Sequence, residues 1–301
     1  MNLRELEYLV AVEEEKHFNK AAERCFVSQP TLSGQLKKLE HELGVMLVER
    51  STRHVVMTEV GRIIATRARQ VLSDIREIRD IAGTYHDPMA GELHVGLIPT
   101  VAPYLLPTIM PVLNQSYPSL KLWLHEYQTS VLLDKLKRAE LDLLILALPV
   151  DTNEFSQLEL FKEAFELAIP VDQAASMPQL ITLDHLANQE MLLLEEGHCL
   201  RGQALDVCFM AGARENTGFH ASSMETLRHM VGEGMGMTLI PELAVPVKHI
   251  PQDAVHYIPF KSPKPSRQIG LLYRKGSYRE SAFIQIQGVI QSAIKQRIKP
   301  E

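Results

Sequence analysis

The sequence predicts an α/β protein in two parts, an all-α N-terminal unit with a long linker helix and a larger C-terminal α/β domain. Apolar residues recur at helical spacing through the first part of the chain. From Glu92 onward, strand-like apolar runs alternate with helical segments, as in sheets covered by helices. The length of 301 residues, with 46% hydrophobic content, is more than one compact domain usually uses.

Composition narrows the classes of protein that fit. Residues 1–12 interleave charges with apolar side chains and do not resemble a secretion signal, which disfavours a secreted solute-binding protein. No stretch predicts a membrane span. Three cysteines do not predict a secreted disulfide framework, so we expect a cytoplasmic, reducing setting. The net charge of -6 gives no bulk attraction to nucleic acid, so any DNA-binding role must rest on local patterning.

Residues 1–58 predict three short helices followed by a β-prone segment. Ser28 is a suitable N-cap for the third helix, Pro30 suits its first turn, and Gly44 ends it. Its predicted buried positions are Leu32, Leu36, Leu39 and Leu43. A tight turn before a helix that starts with short polar residues is the geometry that lets a helix enter a major groove.

The opposite face of the third helix carries the expected DNA contacts. They are Ser28, Gln29, Pro30, Thr31, Ser33, Gln35 and Lys37. Arg50 and Arg53, with the β-prone run at 54–58, predict a wing with two cations that reach phosphates. Taken without further context, these residues fit two interpretations of the N-terminal helices equally well, a packing module and a DNA-binding unit.

Residues 59–87 predict a long linker helix that ends in a turn-rich hinge. A stripe in steps of four and three predicts a dimerisation seam, because no other element of the chain is expected to cover it. Its members are Val60, Ile64, Ala68, Val71, Ile75, Ile78 and Ala82. Two-fold symmetry would also suit the recognition of paired half-sites in DNA.

Residues 88–301 predict two α/β lobes with parallel sheets, lobe I at about 88–163 and 267–301 and lobe II at about 164–266. Ligands of such sheets bind beyond the carboxyl ends of strands. Pro99 and Thr100, after the first strand, and Thr129, before a helix, are therefore candidate pocket residues. A threonine at a helix start is also simply a good cap.

Cys199 and Cys208 flank a segment rich in helix-forming residues. In a helix their Cα atoms would lie about 13 Å apart, whereas a disulfide needs about 5.5 to 6 Å. A disulfide would therefore require the helix to unwind. His198 and Arg201 beside Cys199 favour a reactive thiolate, while Cys208 has apolar neighbours. Packing as small apolar residues remains the alternative, and the spacings predict no metal site.

A long string of residues resembles the signature of LysR-type transcription regulators. It comprises Phe18, Ala21, Ala22, residues 27–33, Leu36, Leu39, Glu40, Leu43, Gly44, Leu47, Arg50, Thr58 and Gly61. Gly34 departs from it, since many members carry Arg there. The resemblance covers the whole chain and implies a winged helix-turn-helix followed by a two-lobed, periplasmic-binding-protein-like effector domain. Most members of the family sense a small organic effector between the lobes, which is the alternative function.

The segments 196–201, 208–209 and 211–213 are similar to the redox segment of the hydrogen-peroxide-sensing LysR-type regulators. Residues 96–100 and 267–273 also resemble these regulators. This resemblance implies that peroxide oxidises Cys199, that Cys208 then forms a disulfide with it, and that oxidative-stress defence genes are activated. The implied peroxide pocket comprises Pro99, Thr100, Thr129, His198 and Arg267.

The same resemblance implies partners that the residues themselves do not reveal. They are double-stranded promoter DNA, RNA polymerase, a thiol reductant such as glutaredoxin, and further copies of the chain in a homodimer or homotetramer. No cofactor and no membrane association are expected. A thiol peroxidase, which performs the same attack on peroxide, is the rival from the enzyme class, and we expect the chain not to be an enzyme.

Overall fold

In the computed structural model the chain divides into two compact units, one containing Met1–His86 and the other containing Asp87–Leu136 and Leu141–Glu301. The structure describes residues 1–50, 55–84, 87–150, 153–246, 254–295 and 297. Among the helices within those ranges, none combines the length and the apolar character needed to cross a membrane.

The first unit is a helical domain with a two-stranded hairpin. Its elements are α1 (Leu3–Glu15), α2 (Phe18–Arg24), α3 (Gln29–Leu43), β1 (Val48–Arg50), β2 (Val55–Met57) and α4 (Glu59–Thr84). The strands β1 and β2 pair antiparallel, which confirms the predicted wing for the residues of these two strands. A single apolar core joins α1, α2, α3 and the wing.

The helix α3 begins and ends where its sequence predicts. The Ser28 hydroxyl accepts a hydrogen bond from the Thr31 amide at 3.3 Å, Pro30 lies in the first turn, and Gly44 adopts a left-handed conformation at the end. Leu32, Leu36 and Leu39 are fully buried. The predicted burial of Leu43 is wrong, because residues 41–46 are all exposed and the last turn projects beyond the core.

The linker helix α4 differs from the expectation that nothing in its own chain covers its apolar stripe. Ala68 is buried against Leu6 and Val10 of α1. Further along the stripe, Val71 and Ile78 are 42% and 66% exposed. The first part of the stripe therefore packs within its own unit, whereas Val71 and Ile78 in the later part are exposed.

The second unit alternates strands and helices along most of its length. Its strands are β3 (Gly91–Leu97), β4 (Leu120–Glu126), β5 (Leu143–Leu148), β6 (Phe155–Pro170), β7 (Glu190–Leu194), β8 (Arg214–Ala221), β9 (Thr238–Pro241), β10 (Val255–Pro259) and β11 (Ser266–Arg274). Its α-helices are α5 (Ala102–Ser116), α6 (Thr129–Lys137), α7 (Cys199–Ala211), α8 (Met224–Gly232) and α9 (Glu280–Ile294).

The sheets are mixed, not wholly parallel as predicted. A path β10-β6-β11-β5-β3-β4 runs through the unit, with β9 also paired to β6, while β7 and β8 form a separate parallel pair. The strand β3 is parallel to β4 and β5. The strand β11 is antiparallel to both β5 and β6, because the chain returns to the first sheet from the opposite direction.

Two separate apolar cores confirm the two-lobed α/β architecture. One lies around β3, β5, β11, α5 and α9, and the other around β7, β9, β10, α7 and α8. The long strand β6 contributes to both, with Leu160 in the first core and Phe165 in the second. Its two ends pair with different strands, β11 at the start and β9 and β10 at the end.

Candidate functional site

The outer face of α3 carries the polar residues that the sequence assigned to DNA. Ser28, Pro30, Thr31 and Lys37 are exposed, and their neighbours on that face, Gln29, Ser33 and Gln35, are half-buried. The backbone of Arg50 pairs with Val55 in the wing. The side chain of Arg50 and the whole of Arg53 lie outside the described residues.

The buried carboxylate of the signature residue Glu40 connects α3 to the wing. Glu40 is 8% exposed, and its Oε1 accepts hydrogen bonds from the amides of Leu47 and Val48 at 2.9 and 3.2 Å. These two residues begin the wing and are themselves fully buried. Glu40 therefore fixes where the wing leaves the third helix.

The two cysteines of interest lie at opposite ends of α7, as the sequence predicted. The helix runs without interruption from Cys199 to Ala211. Eight residues lie between the two cysteines, and the nine residue steps from Cys199 to Cys208 correspond to a Cα separation of about 13 Å along the helix. Both thiols are free.

The thiols occupy different environments. Cys199 is half-buried and packs against the first core of the domain, whereas Cys208 is 3% exposed within the second core. Burial, followed by the charge of Glu215, raises the pKa of the Cys208 thiol to about 11. Cys208 is therefore protonated at neutral pH as long as α7 stays folded.

Arg201 is engaged away from the helix start. Its guanidinium donates to the Leu194 carbonyl at 3.0 Å and forms an ion pair of 2.7 Å with Glu215. His220 Nε2 lies 3.3 Å from the same carboxylate oxygen. The sequence-based expectation placed Arg201 beside Cys199, whereas the structure pairs it with the carboxylate that acts on Cys208.

A buried network holds two of the predicted pocket residues together. Arg267 donates through Nη1 to the Thr100 hydroxyl and through Nη2 to the Thr100 carbonyl, both at 3.0 Å. Its Nε and Nη2 each lie 2.7 Å from Glu163 Oε1. The other oxygen of Glu163 accepts from the Leu243 amide at 3.1 Å. Glu163 is 0% exposed and Arg267 is 3% exposed.

Two other predicted pocket residues, His198 and Thr129, belong to segments that approach each other at the start of α7. His198 is 8% exposed and occupies the N-cap position without a side-chain capping bond. Gly197 has φ +96°, and the Gln128 side-chain oxygen lies only 2.5 Å from where a Cβ on Gly197 would stand. Thr129 follows Gln128 in the chain, and its hydroxyl oxygen is buried with no hydrogen-bond partner among the described residues.

The sequence missed Glu163, although a signal was present. Glu163, Phe165 and Leu167 alternate along β6 and are all buried, so the strand pattern places the carboxylate on an inward face. A buried carboxylate requires a partner.

Within the described ranges, no group of three or more His, Cys, Asp or Glu side chains is arranged to hold a metal ion.

The comparisons with known proteins define the class of this molecule. Residues 3–62 match the family described as "Bacterial regulatory helix-turn-helix protein, lysR family", and residues 86–292 match the family "LysR substrate binding domain". The chain therefore belongs to the LysR family of regulatory helix-turn-helix proteins, as its signature residues indicated.

Within that family, particular relatives are similar over most or nearly all of the chain. The DNA-binding transcriptional dual regulator OxyR of Escherichia coli (strain K12) is 48% identical over 97% of this chain and 95% of its own length. A structure of full-length OxyR C199D from Pseudomonas aeruginosa matches with a TM-score of 0.80 and 37% identity, covering 100% of this chain and 98% of that one. A crystal structure of the oxidized form of OxyR matches 69% of this chain and 98% of its own, with a TM-score of 0.63 and 47% identity.

Proposed function

We propose that this chain is a transcription regulator that senses hydrogen peroxide through a reversible disulfide between Cys199 and Cys208 and activates oxidative-stress defence genes. The observation that carries the proposal is α7 itself, an unbroken helix that holds two free thiols about 13 Å apart in two different cores. The similarity to proteins named OxyR and "Hydrogen peroxide-inducible genes activator" supports the same signal.

The proposal includes the division of labour along the chain. Residues 1–58 read promoter DNA through α3 and the wing, residues 59–87 dimerise through the exposed part of α4, and residues 88–301 sense the signal. Lobe I comprises about 88–163 and 267–301, and lobe II about 164–266. The chain acts in the cytoplasm as a homodimer or homotetramer, contacts RNA polymerase, and is reduced by a thiol reductant such as glutaredoxin.

The chemistry is a two-step oxidation. The Cys199 thiolate attacks one oxygen of hydrogen peroxide, the O–O bond breaks, and Cys199 becomes a sulfenic acid while the other oxygen leaves as water after taking up a proton. The Cys208 thiol then displaces the sulfenic hydroxyl as a second water and forms the disulfide. Two thiols and one peroxide thus give one disulfide and two waters.

We assign the peroxide pocket to Pro99, Thr100, Thr129, His198 and Arg267. Arg267 holds Thr100 through two hydrogen bonds, and the buried Thr129 hydroxyl, which has no partner among the described residues, is available to a small polar molecule. His198 stands directly before Cys199, and Pro99 precedes Thr100 in the chain. The polar side chains among them would orient peroxide and donate to its leaving oxygen.

The switch follows from the distance between the thiols. A disulfide requires Cα atoms about 5.5 to 6 Å apart, so the two cysteines can join only if α7 unwinds and one of them leaves its core. Oxidation therefore trades helical and apolar packing for a covalent link, which is a two-state change that the DNA-binding unit can respond to.

The test is a titration of the reduced full-length protein with peroxide. We expect one equivalent per chain to remove two free thiols and to change the footprint on promoter DNA. Continued consumption of many equivalents with a thiol reductant, without a change in footprint, would instead identify a thiol peroxidase. A footprint that changes with a small organic compound but not with peroxide would identify the alternative effector.

A substitution within α7 tests whether the helix unwinds. Gly202 is exposed, and a Cβ there would meet nothing within 4 Å, so Gly202→Ala adds helix stability without a clash. The gain is about 1 kcal/mol in a helix interior. Since only the reduced form keeps the whole helix, the midpoint potential of the Cys199–Cys208 couple should rise by about 20 mV, measured against a glutathione buffer.

Gly288→Ala is the matched control for this measurement. Gly288 is also exposed within a helix, α9, and a Cβ there would also meet nothing within 4 Å. This variant should stabilise the fold to a similar extent and leave the potential unchanged. If Gly202→Ala and Gly288→Ala have the same potential, α7 does not unwind on oxidation.

A further inference from the structure

An aromatic side chain in the turn before α3 stands almost entirely in solvent. Phe26 is 96% exposed, the largest exposure among the large apolar residues that the structure describes. It belongs to the DNA-binding unit, yet neither the apolar core of that unit nor the residues packed against it include Phe26. Removing such a ring from water normally stabilises a fold, so Phe26 contributes none of that stabilisation to the free protein.

The backbone conformation of Phe26 is unfavourable. Phe26 has φ +55°, in the left-handed region that a side chain with a Cβ adopts at a cost. Its amide donates to the Glu23 carbonyl and the Val27 amide donates to the Ala22 carbonyl, both at 3.0 Å. These two bonds form the helix-ending motif in which glycine is the preferred residue at the left-handed position.

Glycine would therefore suit this turn better than phenylalanine, because it adopts the left-handed conformation without strain and exposes no apolar ring. A strained aromatic residue that gains nothing from burial in the free protein is expected where a partner covers it. The position of the turn indicates which partner. Ser28, the N-cap of α3, lies two residues later, and two residues of chain span at most about 7 Å. The Phe26 ring is thus next to the helix end that is expected to enter the major groove.

We propose that Phe26 is a DNA-contacting residue whose ring packs on an apolar surface of DNA at the edge of each half-site, beside the N-terminus of α3. This inference rests on the proposed DNA-reading role of α3 and adds a contact to it. DNA offers two such surfaces there, the 5-methyl group of thymine in the major groove and the deoxyribose of the backbone. An aromatic ring can bury itself against either.

The test compares Phe26→Gly with the wild-type chain under reducing conditions, on a duplex that the full-length protein selects from a random-sequence pool. We expect the variant to bind that duplex about tenfold more weakly, the loss that follows from removing part of a ring's burial. Its melting temperature should equal or exceed that of the wild type, because glycine relieves the left-handed strain. A merely structural role would move stability and affinity in the same direction.

The dependence on salt separates this contact from a phosphate contact. Phe26→Gly should leave the slope of log affinity against log salt unchanged, because no phosphate charge is involved, whereas Lys37→Ala should reduce the slope by about one. Phe26→Tyr, which keeps the ring, should bind as the wild type does. Asn188→Gly, at another left-handed position in the other unit, should leave DNA affinity unchanged.

Replacing thymine by uracil in the selected duplex distinguishes the two DNA surfaces. If the ring packs on a methyl group, the uracil duplex weakens wild-type binding but not that of Phe26→Gly, and if it packs on deoxyribose, both proteins tolerate uracil equally. If Phe26→Gly binds the duplex with wild-type affinity, the inference is wrong. This holds even if the variant no longer supports transcription by RNA polymerase, because the ring would then contact the polymerase and not DNA. Failure of the wild-type chain to select any duplex would instead overturn the proposed function.

Discussion

Cys199→Ser is expected to abolish the response to peroxide while leaving binding of the reduced protein to DNA intact. A serine hydroxyl does not form a sulfenic acid, so the first step of the proposed oxidation is lost. Cys208 cannot take over that step in the folded domain. With a pKa of about 11, roughly one Cys208 thiol in 10⁴ is ionised at pH 7. After one equivalent of peroxide, both remaining thiols should still react with a thiol reagent, and the footprint should be that of the reduced form.

Cys208→Ser is expected to fail at the second step. Cys199 should still be oxidised, consuming one peroxide and releasing one water, but the sulfenic acid has no partner thiol in its own domain. A reagent that labels sulfenic acids should therefore label Cys208→Ser on Cys199 persistently, and the wild type only transiently. The disulfide and its footprint should both be absent.

Cys25→Ser serves as the control for both substitutions. Cys25 is free and half-buried in the DNA-binding unit, and burial raises the pKa of its thiol. Its removal should leave the peroxide response of the other two cysteines unchanged. A footprint that still changes in Cys199→Ser would show that the signal does not pass through this thiol, and the proposed function would have to be abandoned.

Local chemistry explains which features the sequence alone predicts. The N-cap at Ser28, the end of α3 at Gly44 and the helical pattern from Cys199 to Cys208 depend on neighbouring residues, and the structure has all three. The strand β8 was missed because its residues, Arg214–Ala221, are mostly polar and exposed and show no apolar alternation. The stripe on α4 was misjudged because its partner α1 lies about 60 residues earlier in the chain.

The features of the site that the sequence did not predict are contacts between residues far apart in the chain. Arg267 was identified, but its partner Glu163 lies 104 residues earlier and no local pattern joins them. The same holds for Arg201, because its ion-pair partner Glu215 lies on β8 and not among its neighbours in sequence. Sequence periodicity gives the face on which a side chain lies, and only the packed fold gives its partner.

Glu163→Gln is expected to destabilise the sensing domain strongly. Both Glu163 and Arg267 are fully buried, and loss of the carboxylate charge leaves the guanidinium without compensation. Removing one member of a buried ion pair typically costs about 3 to 5 kcal/mol. For a domain of this size that corresponds to a fall of roughly 6 to 20 °C in melting temperature, which calorimetry of the full-length chain would measure. Glu92→Gln, which removes a carboxylate from the exposed pair with Lys121, is the matched control and should not shift the melting temperature measurably.

A double substitution separates the contribution of this ion pair to the stability of the domain from its role in sensing. Replacing both charges with apolar residues, as in Glu163→Leu with Arg267→Met, removes the uncompensated charge and should recover about 2 kcal/mol or more relative to either single change. Arg267 also holds Thr100, however, through the hydroxyl and the carbonyl. The stabilised double variant should therefore still oxidise slowly with peroxide, because Thr100 is no longer fixed in the pocket. If it regains both stability and a wild-type oxidation rate, Arg267 is only a structural residue and has no part in positioning the pocket.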